Sequence, residues 1–292
     1  KNFLMCLGSG SVFRDLIKLP EPYKGQRDPL RPIFLKEARQ YIIDTYPSEI
    51  APPLKETDDV VEWYGALSHA NWRKEKKHTH VIIGEDKDLA SNPKIWVNYG
   101  RDGGFFKQPQ AVLIQDSSVS VGTLELVQKS TSTETKGTGL VWLIMQAFCF
   151  GDSSDNYHPY LKLDKKLRNH IKYGQKEAYI DFVKLKTPKD VLQKAVDNMA
   201  LWFPDGLKYL AHDDAEQDID TYTWMSDVCY PVAYMTRTSA DVADFRKLCA
   251  YFKVDVSKIT GNNRPPTFPL QEEQTLRDNL ETLKRGISDI AE

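Results

Sequence analysis

Cysteine is scarce and scattered: Cys6, Cys149, Cys229 and Cys249 stand far apart among 292 residues and form no CxxC pair. That argues against a zinc site and offers no disulfide framework, so the expected setting is reducing, cytoplasm or nucleus, or the inside of a viral or other assembled particle. Long hydrophobic runs are also lacking. The longest, Leu140 to Phe150, falls well short of the roughly 20 residues a membrane helix needs, so no membrane partner is expected. Neither sign of charge is in excess, since 39 Lys and Arg against 41 Asp and Glu leave a net charge of −2. A uniformly basic or acidic surface is thereby excluded, and any polyanion contact has to be local. There is no internal repeat and no complete catalytic signature, and no motif calls for a cofactor.

What is present divides into segments of different texture. Prolines at 20, 22, 29, 32, 47, 52 and 53 break residues 1–56 into an extended arm with room for one helix, around Phe34 to Tyr46. Residues 57–135 read as a mixed α/β lobe. A helix over Asp58 to Arg73 is followed by β-branched runs at His80–Gly84, Ile95–Tyr99, Ala111–Gln115 and Val119–Val127, which predict a small antiparallel sheet. Residues 136–260 read as helical. Thr187, Pro188 and Asp190 write a helix start, and Ser239 and Asp241 write another ahead of Val242, Phe245, Leu248, Cys249 and Phe252. Residues 261–292 read as a linker and a docking helix with a stripe of Leu276, Leu280, Leu283, Ile287 and Ile290. The expected class is α+β, predominantly helical, with the sheet in the N-terminal half.

Charge is segregated along the chain. Between Tyr157 and Lys176, Lys162, Lys165, Lys166, Arg168, Lys172 and Lys176 face one acid, Asp164, and Tyr157, Tyr160 and Tyr173 are interleaved. Asp213, Asp214, Glu216, Asp218 and Asp220 form an acidic counterpart. A second basic run, Arg73, Lys74, Lys76 and Lys77, lies near Trp63 and Trp72. Cations along a phosphate path with aromatic faces for bases are the physical requirement for sequence-tolerant binding of single-stranded nucleic acid.

Two partial motifs point elsewhere. Leu7-Gly8-Ser9-Gly10-Ser11 after Phe3–Cys6 could cradle a phosphate, but the third glycine of a dinucleotide turn is missing. His78-Thr79-His80 ahead of Val81, Ile82 and Ile83 would place both imidazoles on one side of a strand, as a shared metal ligand set. This resembles the His-hydrophobic-His motif of the HUH endonucleases, with Thr79 at the hydrophobic position. The resemblance implies nicking of single-stranded DNA with a divalent metal and a tyrosine nucleophile, for which Tyr99 is the nearest downstream residue.

The leading expectation is a non-enzymatic nucleic-acid-coating or assembly protein of the nucleoprotein or coat kind. It binds single-stranded nucleic acid, RNA favoured, through Arg73, Lys74, Lys76, Lys77, Tyr157, Tyr160, Lys162, Lys165, Lys166, Arg168, Lys172 and Tyr173. It forms a homo-oligomer through the N-terminal arm and the C-terminal helix, and needs no cofactor. The first alternative is a metal-dependent phosphodiester or nucleotide enzyme using His78 and His80, with Glu62, Glu85 or Asp86 as further ligands or bases. The second is a protein-interaction scaffold in which basic and acidic faces of adjacent copies pair.

Overall fold

The fold is mixed α and β, and the computed structural model describes residues 2–10, 12–27, 32–102, 104–129, 132–160 and 173–262. In the N-terminal part Met5–Leu7 (β1) pairs in parallel with Ser48–Ile50 (β2), and the one helix foreseen there, Leu35–Thr45 (α1), falls between them in sequence. Thr57–Glu75 (α2) covers the 58–73 segment, and its start is fixed by Asp59, whose carboxylate accepts the Glu56 N–H at 3.0 Å.

Ile82–Ile83 (β3), Lys94–Asn98 (β4) and Gln110–Ile114 (β5) form a three-stranded sheet in that order. β4 and β5 are antiparallel as expected, but β3 is parallel to β4, so the sheet is mixed. A parallel pair needs a crossover, and here it contains the 3-10 turn Lys87–Ala90. Thr123–Gln128 (β6) joins Thr133–Thr138 (β7) in a separate hairpin. β7 was not foreseen because its sequence, Thr-Glu-Thr-Lys-Gly-Thr, carries no apolar alternation.

The apolar run becomes the buried helix Gly139–Met145 (α3), which widens into a π-helical turn over Gln146–Phe150. A helix apolar on every side has to be enclosed, and α3 is. The helix at Pro188–Trp202 begins as written, with Thr187 Oγ1 accepting the Asp190 N–H at 3.1 Å. The helix read from Ser239 starts later, at Phe245, because Asp244 caps it while the Asp241 carboxylate is taken by the Tyr234 hydroxyl and the Arg237 N–H.

The main core joins Phe13, Ile17, Leu19 and Tyr23 to Ile144, Phe148, Val196, Met199, Trp224 and Phe245, and a smaller one surrounds Trp96. Residues 12–23, expected within an extended arm, are thus packed into the centre. Among the described residues no helix is long and apolar enough to cross a membrane. The expected docking helix lies outside them.

Candidate metal centre

The crossover that makes β3 and β4 parallel carries acids on its turn. Asp86 caps the 3-10 turn by accepting the Asp88 N–H at 3.0 Å, which points the Asp88 side chain into the protein. On the other side, the π-helical turn after α3 ends at Gly151, whose φ of +67° and close approach leave no room for a side chain: a Cβ would lie 2.2 Å from the Tyr157 carbonyl oxygen. The next residue, Asp152, opens a second 3-10 turn, Ser153–Asp155, by accepting the Ser154 N–H at 2.8 Å. The two acid-capped turns meet. Asp88, Asp152 and Asp155 are all buried, and one carboxylate oxygen from each lies within 4.8 Å of the others. Among the described residues this is the one grouping of three or more side chains with metal-ligand spacing.

A third acidic segment borders it at the start of α2. Arg14, fully buried, spans Asp59 with two bonds of 3.0 and 3.2 Å and reaches Glu56 at 3.1 Å. It also donates to the backbone oxygens of Val232 and Tyr234. Lys24 pairs with Glu56 and lies 3.9 Å from Asp155, Arg27 reaches Asp155 at 3.3 Å, and Lys87 pairs with Asp152. The Tyr23 hydroxyl lies 3.3 Å from both Glu56 and Asp155.

The protonation pattern separates these acids. Burial opposes ionisation of Asp59 and Asp152, yet Arg14 and Lys87 respectively outweigh it and hold both carboxyls below their ordinary range. Asp58 goes the other way: burial, then the charges of Asp86 and Glu56, push it up to about 7. Burial likewise raises Asp88 to about 8, Lys87 opposing and Asp86 and Asp152 adding to the rise. Burial also raises Asp155. Burial is the main cause of these upward shifts, and the neighbouring carboxylates add to it, so a charge brought to the cluster is favoured if it is positive. A divalent cation meets that condition, and hard oxygen donors at this spacing suit Mg²⁺ or Mn²⁺.

The residues read from the sequence as sites are differently placed. Tyr157 and Tyr160 are each 1% exposed, their hydroxyls donating to the Ala147 and Tyr173 carbonyl oxygens, so their rings are core and not base-stacking faces. Tyr173 is half-buried, edge-on to Trp202, with its hydroxyl on Asp181 at 2.9 Å. Lys162, Lys165, Lys166, Arg168 and Lys172 lie outside the described residues. Arg73, Lys74, Lys76 and Lys77 are exposed at the far end of α2, where Arg73 stands about 22 Å further along the axis than Asp58. Trp72 beside them is already stacked by His69 and His78, at 5.9 and 5.8 Å between centroids.

His78 and His80 do not lie side by side on a strand as expected. The segment from 78 to 80 wraps around the Ser68 hydroxyl, which accepts the Thr79 and His80 N–H groups at 3.2 and 3.1 Å, instead of continuing β3. The His78 ring then lies on Trp72 and the His80 ring on Tyr64, so the two imidazoles have different neighbours. Glu62, offered with them as a ligand, is buried against Lys94. Of those further ligands, Asp86 does border the acid cluster. The acidic stretch 213–220 forms the hairpin of Leu207–Leu210 and Glu216–Ile219, with Asp213 paired to Lys18 and Asp218 to Lys208.

Comparison with known protein families, with curated proteins and with solved structures gave no match.

Proposed function

We propose that this chain is a divalent-cation-dependent enzyme that acts on phosphodiesters, with nucleic acid as the substrate class. The observation that carries the reading is the convergence of Asp88, Asp152 and Asp155, buried and within 4.8 Å of one another. Carboxylates drawn from two separate turns into one buried spot cost free energy unless a cation or proton neutralises them. The three would hold the ion, with Asp58 and Asp86 at its border. A divalent ion so held supplies Lewis acidity and lowers the pKa of bound water, which is the chemistry of phosphodiester hydrolysis. Lys24, Arg27 and Lys87 are partly exposed and tethered to these acids. With a cation held by the carboxylates, these side chains would be available to meet a substrate phosphate.

The reading keeps the metal chemistry expected as the first alternative and moves it from the histidines to the aspartates. The coating role draws on Tyr157 and Tyr160, which are buried, and on cations outside the described residues, so the acid cluster carries more weight. The exposed run Arg73 to Lys77 fits a nucleic-acid contact under either reading.

The test is incubation of labelled single- and double-stranded DNA and RNA with the purified protein in Mg²⁺, in Mn²⁺ and in EDTA. The expected result is cleavage with either cation, none in EDTA, and loss in Asp155→Asn. Oligonucleotides that are bound but intact under every condition would reject the enzyme in favour of coating.

A further inference from the structure

One side chain touches two of the three acids without being an acid or a counter-ion. Gln146, 2% exposed, is the first residue of the π-helical turn that follows α3. Its Nε2 donates to Asp88 Oδ1 at 2.6 Å and lies 3.5 Å from Asp152 Oδ2. Its backbone oxygen accepts the Gly151 N–H at 2.9 Å, immediately before Asp152. Gln146 is therefore fixed ahead of Asp152 by its main chain and reaches the Asp88 turn with its side chain. The other end of the amide has no such explanation: Oε1 is fully buried and meets no donor among the described residues. A buried carbonyl oxygen without a donor is rare in folded proteins, and its usual account is a water or an ion-bound group that completes it.

We infer that Gln146 is a positioning residue for the cation site, recognising the hydrated ion. Its amide N–H holds the Asp88 and Asp152 carboxylates in the orientation the ion requires, and its Oε1 accepts a hydrogen bond from a water on that ion. This rests on the reading of Asp88, Asp152 and Asp155 as the cation ligands. Small divalent ions such as Mg²⁺ keep several of their waters when protein-bound, and those waters are strong donors that need acceptors. An amide already donating to a ligand carboxylate sits in the shell around the ligands, where such an acceptor belongs.

The inference is tested on the full chain with MnCl₂ and MgCl₂ as the probes, by calorimetric titration and by thermal unfolding with and without cation. Gln146→Met conserves length and volume and removes both polar ends. It is expected to keep the binding stoichiometry, because the carboxylates remain, and to bind both ions about 10- to 100-fold more weakly. Gln146→Glu keeps an acceptor and sets a negative charge against Asp88. It is expected to melt lower than wild type without cation and to gain more on adding Mn²⁺ than wild type gains. A folded Gln146→Met with wild-type affinity overturns the inference. If that variant does not fold, a Gln146→Glu whose Mn²⁺-induced gain equals the wild-type gain overturns it instead. Wild-type protein that binds neither ion rejects the cation site itself and the role of Gln146 with it. Wild type that binds, with both variants unchanged, rejects only Gln146.

Discussion

A cation site and a structural ion-pair network predict opposite consequences for Asp88→Asn, and the distances around Asp88 set the size of the difference. Carboxylate oxygens within 4.8 Å of one another, in surroundings of effective dielectric about 20, repel by at least about 3.5 kcal/mol. Asp88 meets two such neighbours, while the Lys87 ammonium at 4.0 Å attracts it by about 4 kcal/mol. Neutralising Asp88 also weakens the Gln146 hydrogen bond, at a cost of about 1 to 2 kcal/mol. The balance favours the variant by about 1 kcal/mol, or about 2 °C in Tm for a chain of this size. That gain belongs to pH 9, where Asp88 is ionised; near pH 7 a proton already relieves the repulsion and the gain shrinks. With Mn²⁺ at 100 times its dissociation constant, wild type is stabilised by about 2.7 kcal/mol. A variant lacking one charged ligand and binding about 100-fold more weakly gains about 0.4 kcal/mol. Thermal unfolding at pH 9 with EDTA and then with MnCl₂ reads both effects. An Asp88→Asn protein that melts several degrees below wild type in EDTA, yet shows the same Mn²⁺ shift, would refute the cation site and leave a structural network.

Arg14→Met leaves Asp59 buried without its cation, and Glu56 with Lys24 alone, and should cost about 3 to 5 kcal/mol in urea unfolding. Asp58 binds its proton more tightly folded than unfolded, so between pH 4 and its raised value near 7 the native state holds more protons and stability falls as pH rises. The stability of Asp58→Asn relative to wild type should therefore grow in the variant's favour from pH 5 to pH 8, measured by urea midpoints. The double variant His78→Ala, His80→Ala should bind Mn²⁺ as wild type does, because the rings stack on Trp72 and Tyr64 and the cluster of metal-ligand spacing holds no histidine; a loss of binding would restore the histidines as ligands. Replacing Arg73, Lys74, Lys76 and Lys77 by Gln should flatten the salt dependence of oligonucleotide binding, by about 0.7 in the log–log slope for each lost single-strand phosphate contact.

Elements whose signals are local were legible in the sequence. The Thr187-Pro188-Asp190 start, the α1 and α2 spans and the β4–β5 pairing all follow from caps and periodicity within one segment. The acid cluster was not legible, because it is assembled from residues 56–59, 86–88 and 152–155, and each group has an ordinary local use. Asp59 fixes the start of α2, Asp86 caps one 3-10 turn and Asp152 caps another. A signal did exist: Glu85-Asp86-Lys87-Asp88 follows the apolar β3 run, and Asp152-Ser-Ser-Asp155 follows the longest apolar run of the chain. Acids set directly beyond buried elements are held near the core whether or not they are paired. Tyr157 and Tyr160 misled for the converse reason, since neighbouring lysines in sequence say nothing about which way an aromatic ring faces.

The acids around the site fall into two sets, and the kind of cation assigned to each explains the division. Asp59, and Glu56 beside it, are held by Arg14, a side chain with no exposure that also bonds to the Val232 and Tyr234 backbone and cannot leave without unfolding that contact, Glu56 pairing in addition with Lys24. Asp152 and Asp155 are held by Lys87 and Arg27, whose side chains are 33% and 58% exposed and can swing into solvent. Asp88 has Lys87 only at 4.0 Å. Losing a locked partner such as Arg14 strands a buried charge at high cost, whereas a partner that reaches solvent can leave its acid far more cheaply. Here the rigid pairing is confined to the acids that fix α2 against the rest of the fold. The convergent aspartates keep removable partners, and of the three Asp88 and Asp155 have raised proton affinity while Lys87 holds Asp152 low, an arrangement that suits a site whose charge is to be taken over by a cation that comes and goes.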